Sequence, residues 1–178
     1  MSRREGAAVL FDTGRLSVRR FLPEDCGDLA DILTDPEVTY FEPYETFTRE
    51  ACVQEAVKLS RSREFYAVVL GDRVIGKIYF SARGHGSYEI GYTFNRAYQG
   101  MGYAFESVCG MMGYAFRVLG VRRISADINA RNVKSIRLAE RLGMRREALH
   151  REFLPRKENE NIFDDMCVYA LLKSEFAD

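Results

Sequence analysis

Between Tyr88 and Asn129 the apolar residues change their period twice, and few folds accommodate the order of those changes. Tyr88, Ile90, Tyr92 and Phe94 alternate with Glu89, Gly91 and Thr93, the two-residue period of a strand. From about Tyr103 to Leu119 the apolar residues Val108, Met111, Met112, Ala115, Phe116 and Leu119 recur on most sides of a helix, so a largely buried helix is expected, ended by Gly120. From Arg123 to Asn129 the period returns to two, with Ile124, Ala126 and Ile128. A strand, a helix and a strand in this order form a crossover unit with a parallel pair, almost always right-handed.

The flanks fill in a sheet. Leu16, Val18 and Phe21 predict a first strand, and Pro23-Glu24-Asp25 starts a helix with Leu29, Ile32 and Leu33 as its apolar stripe. Thr34-Asp35-Pro36-Glu37 ends that helix, because the residue before a proline resists helical torsions. Thr48 caps a second helix with Cys52, Val53, Ala56, Val57 and Leu59 on one side. Phe65 to Leu70, Arg73 to Ser81 and Tyr88 to Phe94 are strands separated by the turns Gly71-Asp72 and Gly84-His85-Gly86, an antiparallel meander. After the crossover come a helix from Asn132 to Leu142, ended by Gly143, and strands near Met144 to Phe153 and Ile162 to Leu172, with Pro155 to Asn161 as a charged loop. The expected fold class is mixed α/β, one twisted sheet of about seven strands with about four helices. Residues 1–178 read as a single domain and residues 1–14 as a loose N-terminal arm.

Composition narrows the function classes. Apolar residues make up 47% of the chain, enough for a packed core. With 26 basic and 26 acidic residues there is no whole-molecule drive toward nucleic acid or an anionic membrane, and neither is expected as a partner. Cys26, Cys52, Cys109 and Cys167 lack metal-ligand or redox spacing and there are only 2 histidines, so no metal is expected. Widely spaced thiols, no basic-then-apolar leader and no long apolar run read as a soluble cytoplasmic protein.

The chemistry lies between the third meander strand and the long helix, in Asn95-Arg96-Ala97-Tyr98-Gln99-Gly100-Met101-Gly102-Tyr103-Ala104. Helix N-termini offer backbone N–H groups and a partial positive charge, which together hold a phosphate or pyrophosphate without a lysine. Gly100 and Gly102 let the backbone come close and Ala104 keeps the first turn narrow. On the glycines alone, a plain strand-to-helix turn is the default. A Rossmann fingerprint fits poorly, lacking its third glycine and early position, and a P-loop lacks its lysine and following hydroxyl.

Gln99-Gly100-Met101-Gly102-Tyr103-Ala104 resembles the Gln/Arg-x-x-Gly-x-Gly/Ala signature of the GNAT acetyltransferases. Leu16-Ser17-Val18-Arg19, Glu89-Ile90-Gly91-Tyr92, Asn132 with Ser135, and Leu142-Gly143-Met144-Arg145-Arg146-Glu147 extend the likeness over nearly the whole chain. It is nearest the branch that includes ribosomal-protein alanine and serine N-acetyltransferases. The resemblance implies the GNAT fold and acetyl-CoA as co-substrate, with pantetheine along the backbone around Tyr92 to Phe94 and the pyrophosphate on the amides of Gln99, Gly100, Met101, Gly102, Tyr103 and Ala104.

It also assigns roles, each beside a plainer reading. Glu89 is a candidate general base, acting through water on the acceptor's ammonium, or an ordinary solvated strand residue. Glu152, near the end of a strand bordering the acceptor, is ranked beside it. Asn132 is an N-cap that also contacts the pantetheine arm, and Ser135 is a polar first-turn residue or the acid that protonates the leaving thiolate near the cofactor sulfur. Tyr40 to Glu45 walls the acceptor site or caps the core. The basic pairs Arg122-Arg123, Arg145-Arg146 and Arg156-Lys157 are ordinarily solvated charge, one of them a candidate for the 3′-phosphate. The expected activity is acetyl transfer to a primary amine by direct attack in a ternary complex. The acceptor is a protein N-terminal α-amine or a small amine, and the protein a monomer or homodimer. The alternative is a non-catalytic acyl-CoA-binding sensor or regulatory domain.

Overall fold

The computed structural model describes residues 8–176. They form two compact units, one built from the chain up to Phe80 together with Tyr92–Met111, the other from Ser81–Gly91 with Met112 onward. Each is therefore assembled from separated stretches of sequence.

In the first unit β1 (Val9–Asp12), β2 (Ser17–Arg20), β3 (Phe65–Leu70) and β4 (Arg73–Gly84) follow one another as antiparallel neighbours, with β5 (Ser87–Phe94) next in order. β1 lies inside the stretch expected to be a loose arm. It pairs Asp12 with Ser17 across a short turn, which supplies the eighth strand. Residues 1–7 of that arm lie outside the described residues. Val18 pairs with Val68 on one face of the meander, and Ala67 with Lys77 on the other, the face that also holds Val69. Over that face pack α1 (Cys26–Leu33) and α3 (Arg49–Arg61), closing a core of Phe21, Leu29, Ile32, Leu33, Cys52, Ala56 and Leu59.

Local signals set the ends of these elements. Thr48 accepts the Ala51 amide at 3.2 Å as the cap of α3. Pro36 stops α1 as expected but then opens a one-turn helix, α2 (Pro36–Thr39), because Asp35 accepts the Glu37 amide at 3.0 Å and proline suits a first helical position. This is the fifth helix, one beyond expectation. Val53 is 48% exposed, so the apolar stripe of α3 is narrower than its sequence implies. Arg19 is buried and forks onto Asp25 at 2.7 and 2.8 Å, and Asp25 also accepts the Leu22 amide.

The second unit contains the parallel pair that the crossover requires. The first residues of β5 pair with β6 (Arg123–Asn129) through Ser87↔Arg123, Tyr88↔Ile124 and Glu89↔Ser125. β6 then pairs antiparallel with β8 (Asn159–Leu172), and β8 with β7 (Arg145–Arg156). The β4–β5 turn has positive φ at His85 (52°) and Gly86 (70°), as a two-residue hairpin loop needs. α4 (Tyr103–Arg117) runs through both units and buries Val108, Met111, Met112, Ala115 and Phe116, while Leu119 lies beyond its end and is 47% exposed.

The last hairpin is longer than its charge predicts. Pro155 and Arg156 continue β7, and Asn159 already belongs to β8. Asp164, itself 5% exposed, is the cause. It accepts from Asn129 at 3.0 Å, Arg131 at 3.2 Å and Arg156 at 2.6 Å, so Arg156 of the expected loop is held against β8, while Lys157, Glu158 and Glu160 stay exposed. Burial pushes the Asp164 carboxyl up, and those hydrogen bonds outweigh it and hold it below its ordinary value.

Candidate active site

The glycine loop has the geometry its sequence predicts. β5 ends at Phe94, a single 3-10 turn spans Arg96–Tyr98, and α4 begins at Tyr103. Asn95 shapes the turn by accepting the Ala97 amide at 2.9 Å. Gln99 reaches back, its side-chain amide donating to the Phe94 carbonyl at 3.1 Å. The first signature residue is thus a staple that ties the loop to the end of its strand. Gly100 and Gly102 have φ of 78° and 83°, left-handed values that disfavour any side chain. A Cβ on Gly100 would meet nothing within 4 Å, so the loop is open on that side. The first bond of the helix ladder runs from the Glu106 amide to the Gly102 carbonyl at 3.0 Å, so the amides of Tyr103 and Ala104 precede the ladder. An exposed glycine bend feeding helix-start amides fits a pyrophosphate.

Arg15 and Glu106 frame the same loop, and sequence reasoning passed over both. Glu106 accepts from the Thr13 hydroxyl, from the Arg15 amide at 2.8 Å and from Arg15 Nε at 2.7 Å. Arg15 Nη1 also donates to the Met101 carbonyl at 3.1 Å, and the guanidinium stacks on the Tyr103 ring at 4.4 Å. The one available signal was a carboxylate in the first turn of an otherwise apolar helix.

The Tyr40–Glu45 segment is tied to β5. Thr93, buried, donates to Glu42 at 2.9 Å, and Tyr44 accepts from the buried Lys77 at 2.8 Å. Glu42 is half-buried, so this unit contains a carboxylate fixed against the strand that leads into the glycine loop.

Glu89, Asn132, Ser135 and Glu152 belong to the second unit. Glu89 is half-buried and ion-paired with Arg83 of β4, whose Nε donates at 2.7 Å. Asn132 caps α5 (Val133–Arg141), its side chain accepting the Ser135 amide at 3.2 Å, which brings those two expected residues into contact. Glu152 sits in an irregular stretch of β7 with φ of 49°. Its side chain is exposed and its amide donates to Asp165 at 2.8 Å. All three basic clusters engage acids: Arg123 forks onto Glu147, Arg145 pairs with Glu175 at 3.0 Å, and Arg156 serves Asp164. Among the described residues no three of His, Cys, Asp and Glu are grouped to hold a metal ion, and no helix is long and apolar enough to cross a membrane.

The model of the acetyltransferase (GNAT) domain family matches residues 15–145, which include the glycine loop, β6 and α5. The chain belongs to the GNAT acetyltransferase family. It is an acetyltransferase, and acyl transfer from coenzyme A is the family's chemistry. The chain is 33% identical over 168 residues to a Bacillus subtilis protein described as uncharacterized N-acetyltransferase YnaD, covering 92% of this chain and 97% of that protein. The crystal structure of a GNAT-family acetyltransferase from Bacillus anthracis superposes with a TM-score of 0.85 at 29% identity, covering 92% and 98% of the two chains. Mycobacterium smegmatis RimJ, solved in complex with CoA-disulfide, shares the fold with a TM-score of 0.76 at 17% identity, covering 92% and 84%.

Proposed function

We propose that this GNAT protein moves the acetyl group of acetyl-CoA to a primary amine, either a protein N-terminal α-amine or a small amine, by direct attack in a ternary complex. The observation that carries the reading is the loop Gln99–Ala104, with two left-handed glycines opening onto the first amides of α4. The fold shared with RimJ, a protein solved in complex with CoA-disulfide, supports a coenzyme A ligand here.

When bound, acetyl-CoA supplies an activated thioester carbonyl. Gly100, Met101, Gly102, Tyr103 and Ala104 hold its pyrophosphate through backbone amides, with Gln99 fixing the loop's shape. The backbone of Tyr92 and Phe94 carries the pantetheine arm, and an amide near Phe94 donates to the oxygen on which charge develops. Glu89 or Glu152 takes the proton of the acceptor's ammonium through water, since a protonated amine cannot attack. Arg83 orients Glu89 for that task. Ser135, set by the Asn132 cap, or water returns a proton to the departing thiolate. We read the whole chain as one catalytic domain acting in the cytoplasm as a monomer or homodimer, in keeping with its four free thiols.

Calorimetric titration with acetyl-CoA, wild type against Gly102→Trp, tests the reading. Binding by the wild type that the variant loses supports it. A folded wild type that binds neither acetyl-CoA nor coenzyme A overturns it. A thioester-turnover assay with pooled amines then identifies the acceptor class.

A further inference from the structure

Arg15 stands at the turn between β1 and β2, 91 residues in sequence from the Glu106 it touches. Its position is fixed from three sides, by Glu106 at Nε, by the Met101 carbonyl at Nη1 and by the Tyr103 ring beneath the guanidinium plane. The remaining nitrogen, Nη2, lies 3.3 Å from where a Cβ on Gly102 would be. Nη2 therefore faces the left-handed glycine that opens the loop, and the side chain is 48% exposed. A guanidinium has five N–H donors in a rigid plane, and the bonds to Glu106 and Met101 are made by Nε and Nη1.

Structural anchoring alone does not require this arrangement. The Thr13 hydroxyl and the Arg15 main-chain amide already tie the turn to Glu106. A side chain serving only to neutralise Glu106 would not need to extend over Met101 and Gly102 as well.

We propose that Arg15 is a phosphate-binding residue of this chain. Nη2 donates to a pyrophosphate oxygen of coenzyme A above Gly102, while Glu106, Met101 and Tyr103 hold the fork in position. The proposal rests on the reading that the Gln99–Ala104 loop takes the pyrophosphate. Burial pushes the Glu106 carboxyl up, and the hydrogen bonds from Thr13 and Arg15 outweigh it and hold it below its ordinary value, so the clamp stays ionised at neutral pH.

The test is titration with coenzyme A and with 3′-dephospho-coenzyme A, beside the KM for S-acetylpantetheine, which lacks the phosphates. Arg15→Met is expected to weaken both nucleotide ligands by about 10- to 100-fold, the usual worth of a charge-assisted hydrogen bond. The S-acetylpantetheine KM is expected to stay within about twofold, and the salt dependence of coenzyme A binding to become shallower. Arg15→Met leaves the Glu106 carboxylate without its cation, so Arg15→Gln/Glu106→Gln is measured in parallel. It keeps a neutral clamp and is expected to show the same loss, with Glu106→Gln alone losing less. Unchanged coenzyme A affinity in the Arg15 variants overturns the proposal, as does an equal loss for S-acetylpantetheine. A wild type that does not bind coenzyme A at all defeats the loop reading itself, which separates the two failures.

Discussion

Lys77 donates to the phenolic oxygen of Tyr44 at 2.8 Å, with its ammonium over the Tyr44 ring at 4.6 Å and the Phe65 ring at 5.4 Å. At 4% exposure this is a lysine taken out of water. Burial pushes it below its ordinary value of 10.5, and Glu42 and Glu55 pull it part of the way back. Unfolding restores the ordinary value. Between the lowered value and 10.5 the unfolded chain binds more protons, so stability rises with pH across that window and is lost as pH falls through it. Tyr44 acts oppositely: burial, then Glu42, hold its phenol well above the ordinary 10.0, so above that pH the unfolded chain loses its proton first and stability falls. Urea midpoints are expected to rise for the wild type relative to Lys77→Met as pH is raised toward 10.5. Tyr44→Phe is expected to remove the decline above pH 10.0. A wild-type-minus-Lys77→Met difference that is flat with pH would mean that folding does not suppress the lysine's charge.

Gly76 on β4 faces Phe94, the last residue of β5. A Cβ there would fall 2.4 Å from Phe94 Cε1 and 2.5 Å from Cδ1, so the ring must move. Phe94 also offers its carbonyl to Gln99, which makes the displacement propagate into the glycine loop. Gly76→Ala is expected to cost about 1–3 kcal/mol by overpacking, read as a lower urea midpoint, and to weaken acetyl-CoA binding in calorimetry. Full stability would show that the ring has room to retreat.

The glycine loop and its helix were legible because both are local. Spacing within a short segment fixes Gly100, Gly102 and the apolar sides of α4, and the structure differs only at its end, where Leu119 is exposed. Arg15–Glu106 and Lys77–Tyr44 were not legible, because their partners are brought together only by the sheet. The same cause extended the last hairpin: Arg156 reads as solvated charge until Asp164, which also holds Asn129 and Arg131, is folded against it. Val53 has the right spacing for the core face of α3 but nothing in the fold covers it fully. Periodicity reports which residues share a face of an element, not how wide the covering surface is.

Glu89 and Glu152 are separable as bases. Glu89 is held by Arg83, and Glu152 stands exposed on β7. Replacing the true base by Gln is expected to lower turnover by about 10²- to 10⁴-fold with little change in acetyl-CoA affinity. Arg83→Met should follow Glu89→Gln in part if Glu89 is the base, by releasing its carboxylate from a fixed orientation. Steady-state rates with a responsive amine, beside calorimetric affinities, decide between them. Wild-type turnover in both Gln variants would remove the carboxylate-base proposal.

Glu152 also carries a backbone cost. Its φ of 49° is left-handed, and a side chain other than glycine or asparagine is disfavoured there by roughly 1–2 kcal/mol. The irregular pairing of β7 between His150 and Leu154, with the Glu152 amide bonded to Asp165 at 2.8 Å, holds it in place. Asparagine tolerates this conformation, so Glu152→Asn is expected to raise the unfolding temperature slightly while Glu152→Gln, which keeps the strain, leaves it unchanged. If Glu152 is the base, both variants lose turnover to the same extent, and stability and activity move independently. If it is not, Glu152→Asn gives a more stable enzyme of unaltered rate. A fall in stability with asparagine would show that the exposed carboxylate itself supports the strand, against the assignment of the strain to the backbone.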